Sequence, residues 1–106
     1  MSEAVTRLRR TLVERIVQGP GKASSAVRRA AFERASVPAP AAALVDKVAS
    51  EAWNISDDDV AAAKQAGLSE DEILEIGVCA ACGQAARQLE AGLAALEAAL
   101  AKEPSA

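Results

Sequence analysis

The sequence predicts an all-α protein, and three observations predict it. No stretch alternates apolar and polar residues over strand length, and no hairpin dipeptide separates such stretches. Apolar residues recur instead at helical spacing, and Ser-x-x-acid signatures open two of the helical stretches, Ser56 to Asp59 and Ser69 to Glu72. Composition is the third: hydrophobic residues make up 51% of the chain and aromatics only 2%. The core must therefore be built from Ala, Leu, Val and Ile, which suits close helix packing.

Taken in order, the first helix runs from about Glu3 to Gln18. Val5, Leu8, Leu12 and Ile16, widened by Val13 and Val17, form a stripe expected to face the core, with Arg7, Arg9, Arg10 and Arg15 mostly off it. Gly19-Pro20-Gly21 ends this helix. Ser24 or Ser25 can cap a second helix through about Ala35, and Ser36 to Pro40 reads as an extended linker because each proline pushes the preceding residue away from helical angles. A third helix is expected from Ala41 to about Trp53, with Leu44, Val45, Val48 and Ala52 inward and Trp53 as a packing anchor at its end. A fourth, Asp57 to about Ala66, starts on three acids that suit the positive end of the helix dipole. Gly67-Leu68 then supplies a glycine stop followed by an apolar residue.

The last helix is the longest. Ser69 and Glu72 form a capping box, Glu70 and Asp71 lie in the first turn, and no proline interrupts before Pro104. At ~1.5 Å per residue it would reach roughly 50 Å, longer than a domain of this size is wide. Its end is therefore expected to pack against another subunit. The 106 residues make one domain, with basic N-terminal helices over 1–36 and a core over 37–106.

Charge and composition narrow the function classes. Residues 1–34 carry eight Arg or Lys against three acids, and residues 35–106 carry four against twelve. The basic N-terminal helices can thus lie across acidic parts of this chain or a neighbour. Ala63, Gly67 and Ile73 have the spacing of a helix-turn-helix, but the supposed recognition helix would present Glu70, Asp71, Glu72 and Glu75 to phosphates, so nucleic acid is not the expected partner. No apolar run is long enough to span a bilayer and no leader pattern opens the chain, so the expected compartment is the cytoplasm, with no membrane association.

Chemistry centres on the only two cysteines, Cys79 and Cys82, a CxxC on the last helix. The chain has no histidine, so a closed zinc site within one chain lacks ligands, and neither metal nor cofactor is expected. Glu72, Glu75, Cys79 and Cys82 fall at i, i+3, i+7 and i+10, along one side of a helix. A carboxylate there could accept a thiol proton. Yet Cys79 lies ten residues beyond Ser69, where the dipole has faded, and Glu75 one turn back would raise its pKa. Small apolar thiols filling core space read equally well from these residues.

The stretch from Asp57 to Leu96, DDDVAAAKQAGLSEDEILEIGVCAACGQAARQLEAGLAAL, resembles the carboxymuconolactone decarboxylase and alkylhydroperoxidase AhpD-like superfamily. The likeness rests on the short helix, the Gly-Leu-Ser-Glu corner and the small-residue helix after it, and covers the C-terminal half of the chain. It implies an AhpD-like helical bundle of about five helices that assembles into homo-oligomers. It also implies a peroxide or disulfide reductase using Cys79 and Cys82, with Glu75 or Glu72 as base and a thiol protein as reductant. Where the family's CxxCxxxH pattern has its histidine, this chain has Ala86. The alternative is a non-catalytic oligomeric scaffold or binding module with the same fold. Arg87 and Gln84, polar among small residues, are expected on an exposed face.

Overall fold

A computed structural model describes residues 2–102, and every regular element among them is helical. The elements are α1 (Glu3–Gln18), α2 (Ser25–Glu33), α3 (Ala39–Glu51) followed by a 3-10 turn (Ala52–Asn54), α4 (Asp57–Gln65) and α5 (Glu70–Ala101). Local chemistry explains where they start. The Ser2 and Ser24 hydroxyls each accept from a backbone N–H three residues on, both at 3.2 Å. Asp59 accepts from the Ser56 N–H at 2.8 Å, and Ser69 and Glu72 exchange both bonds of a capping box at 3.1 Å.

The helix stops are equally local, with two departures from expectation. Gly67 takes the left-handed conformation, φ 106°, its N–H donates to Lys64 O and the Leu68 N–H to Ala63 O, which is the Schellman corner read from Gly67-Leu68. Helix α2 ends at Glu33 rather than near Ala35, because Arg34 itself adopts the left-handed cap with φ 54°. Helix α3 starts at Ala39, inside the expected linker. Pro40 sits in its first turn, where a missing N–H costs nothing, and the Pro38 carbonyl accepts from Ala41 and Ala42.

Helix α5 is the spine, and α2 and α3 pack most extensively on its N-terminal half, with α1 laid over α2. The core consists of Val17, Ala23, Ala31, Ala41, Val45, Ile76, Cys79 and Ala80, with Val13, Ile16, Phe32 and Leu68 against its edge. Such small residues let backbones come close. At Gly83 a β-carbon would land on the Phe32 carbonyl of α2, so glycine is required where α2 crosses α5.

Two expectations are corrected. Trp53 is not a packing anchor but is 82% exposed, and Ala52 is exposed as well. Helix α3 breaks after Glu51, and the tighter turn swings both residues off the inward stripe of Leu44, Val45 and Ala49. In α1 only Val17 is fully buried, while Leu8 is 70% exposed and Val5 and Leu12 also face solvent. In the N-terminal half of that helix only Thr6 and Arg9 are even partly buried, and the stripe of Val5, Leu8 and Leu12 has no helix facing it among the described residues. The molecule measures 62 × 28 × 21 Å, and from Leu89 to Lys102 only Leu93 is even partly buried. No helix among the described residues is long and apolar enough to cross a membrane.

Candidate functional site

Glu72, Glu75, Cys79 and Cys82 follow one another along the first four turns of α5. The structure gives each a definite surrounding. Glu72 is the third residue of the helix, and its carboxylate accepts the Ser69 N–H at 3.1 Å as half of the capping box. Glu75 points at the loop between α1 and α2. One oxygen accepts the Lys22 N–H at 2.7 Å, and the other accepts Lys22 and Ala23 at 3.0 and 2.9 Å. The carboxylate thus gathers the free amides ahead of α2, and a β-carbon at Gly21 would strike it, so a side chain there would push Glu75 off those amides. The Ala23 amide first, then that of Lys22, with Arg28 nearby, holds the Glu75 carboxyl below its ordinary pKa.

Cys79 is fully buried, and its thiol donates to the Ile16 carbonyl near the end of α1 at 3.6 Å. Burial pushes this thiol's pKa up, and the Glu75 charge adds to the rise. Cys82, one turn on, is partly exposed, and both cysteines are free thiols. Among the described residues neither Glu72 nor Glu75 hydrogen-bonds a thiol; each carboxylate is taken by backbone amides. The structure brings Glu75 and Cys79 to the same place, the underside of the α1–α2 loop, and leaves Glu72 at the helix start.

Arg28, which sequence reasoning passed over, completes this cluster. It is 5% exposed and ties off the end of α1, donating from Nη1 to Ile16 O at 3.0 Å and from Nη2 to Gly19 O at 2.7 Å. The Ile16 carbonyl therefore receives both Arg28 and Cys79. Helical spacing from buried Ala31 could have placed Arg28 inward, but its acceptors come from the fold. Arg87 likewise leaves the exposed face expected of it. It donates to Phe32 O at 2.7 Å, closing the end of α2, and to Gln84 at 3.1 Å.

The opposite side of α5 has a different character. Ile76, Cys79, Ala80 and Gly83 are buried, and the face turned away from them holds Leu74, Val78, Ala81, Ala85, Gln88, Gly92 and Leu96, all exposed and all but Gln88 apolar. A solvent face of a helix ordinarily carries polar residues. Alongside Leu74 and Val78, an apolar groove is walled by Leu44, Val48, Ile55 and Val60. Gly77 and Gly92 have open space where a β-carbon would be, so nothing in the chain requires them.

No protein-family model matches the chain, and no curated protein or solved structure matches it either.

Proposed function

We propose that the chain is a non-catalytic helical module that self-associates through the outward face of α5. The observation that carries this reading is the apolar character of that face from Leu74 to Leu96, where Gln88 is the one polar residue. The face is self-complementary when two copies run antiparallel about its midpoint, Ala85. Leu96 of one copy then lies against Leu74 of the other, Gly92 against Val78, and Ala85 against itself. Small residues at the centre permit a close approach, and glycine in mid-helix, costing up to ~1 kcal/mol against alanine, acquires a reason at Gly92. Each leucine covered is worth ~1.5–3 kcal/mol, and Leu74 and Leu96 are 67% and 55% exposed. The α5 helix beyond Leu89, unsupported within one chain, gains a neighbour.

Light scattering tests this directly. The wild type is expected at twice the 10.9 kDa of one chain, and Val78→Glu or Leu96→Glu at the monomer mass with helicity kept. In a Cys82→Ser background, Ala85→Cys should oxidise to a disulfide between copies. A monomeric wild type, or glutamate variants that associate unchanged, would reject the proposal.

The dithiol reading has one observation in its favour: Cys79 and Cys82 are free, one turn apart, and Cys82 is accessible from solvent. Under it a peroxide takes two electrons from the pair, giving a disulfide, water and an alcohol, and a thiol protein restores the dithiol. Such a cycle fits a reducing compartment such as the cytoplasm. The amide-bound Glu75 and the raised Cys79 pKa favour the association reading instead. Intact mass before and after mild peroxide separates the two: loss of two hydrogens in the wild type but not in Cys79→Ser would establish the redox pair.

A further inference from the structure

On the side of α5 away from the association face, α1, α2 and α5 enclose a groove of about 380 Å³. Small-molecule sites start at about this size, roughly 300 Å³. Its apolar floor is formed by Val13, Val17 and Phe32, and Ala86 of α5 closes one side.

Charge on its walls is unbalanced. Arg9, Arg10 and Arg29 line the groove against two carboxylates, Glu14 and Glu90. Arg29 reaches Glu33 at 3.9 Å on its own helix. Arg9 and Arg10 make no ion pair among the described residues, and neither do Glu14 and Glu90. Of the charged residues lining the groove Arg9 alone is half-buried, while Arg10, Glu14, Arg29 and Glu90 are exposed. The groove therefore combines one sheltered cation with an apolar floor, which matches an anion bearing a single charge and a hydrocarbon body.

We propose that this groove binds a small amphipathic monoanion, a carboxylate with an aliphatic or aromatic body, whose head is received by Arg9 and whose body lies on Val13, Val17 and Phe32. This site is independent of the association face, since it uses the flank of α5 that carries Ala86 and Glu90. A polyanion is disfavoured because Glu14 and Glu90 would oppose a second charge.

Decanoate and its uncharged counterpart decanol, titrated into the ¹⁵N-labelled full chain, test the assignment. Decanoate is expected to move the amides of Val13, Phe32 and Ala86, and decanol to bind at least about tenfold more weakly, since a charged hydrogen bond is at stake. Arg9→Gln should weaken decanoate about ten- to a hundredfold. Ala86→Leu, which fills the groove and leaves the cations in place, should block decanoate. Decanol binding as tightly as decanoate, an unchanged affinity in Arg9→Gln or Ala86→Leu, or shifts centred on Leu74 and Val78 would each overturn the proposal.

Discussion

Replacing Gly83 by alanine sets two physical effects against each other. Alanine is the better helix former by ~1 kcal/mol, and Gly83 lies in the middle of α5, so helix propensity alone says that Gly83→Ala stabilises. Tertiary packing says the reverse. The new methyl would meet the Phe32 carbonyl of α2, and that atom is backbone, unable to swing aside as a side chain could. Forcing α2 away costs ~1–3 kcal/mol as overpacking. The same carbonyl accepts the Arg87 guanidinium at 2.7 Å, and losing a charged hydrogen bond adds ~1.5–3 kcal/mol. Set against the propensity gain, the net destabilisation is about 1.5–5 kcal/mol, or roughly 6–40 °C in Tm for a domain of this size. Urea unfolding followed by far-UV circular dichroism measures it, with both proteins at one concentration because association contributes to apparent stability. A Gly83→Ala protein as stable as the wild type, or more so, would refute the reasoning about the α2–α5 crossing.

Two further outcomes follow from the cluster under the α1–α2 loop. Glu75 has a folded pKa held below its unfolded value of ~4.3, so the stability it contributes is present above that value and lost as pH falls through the folded pKa. Glu75→Gln should cost ~1–2 kcal/mol near neutral pH and almost nothing once the wild-type carboxyl is protonated; equal pH profiles for the two proteins would contradict this. Iodoacetamide should label Cys82 of the folded protein and spare Cys79, which is buried with its thiol pKa raised; mass spectrometry of Cys82→Ser that found rapid labelling of the folded chain would dismiss the protected placement of Cys79.

Sequence alone determined the helices and most of their boundaries. Ser24 and Ser69 act on N–H groups three residues away, Asp59 reaches back to the Ser56 N–H, and Gly67-Leu68 closes on carbonyls one turn back; bonds this short in sequence depend on little else. Even so, the left-handed stop at Arg34 escaped, because a non-glycine residue seldom adopts that conformation and nothing local in the sequence marks it as the cap. Tertiary structure decided which apolar stripe is covered. The stripe of α1 is as regular as that of α3, yet Val5, Leu8 and Leu12 remain exposed while Leu44 and Val45 are buried, since burial requires a facing helix and periodicity cannot supply one. It also decided what the candidate site residues touch. The spacing of Glu75 and Cys79 was legible, but not that Glu75 holds amides of a loop 52 and 53 residues away, nor that Cys79 shares the Ile16 carbonyl with Arg28. A carboxylate or thiol takes its chemistry from the groups nearest to it in space. For these residues, those groups come from the other end of the chain.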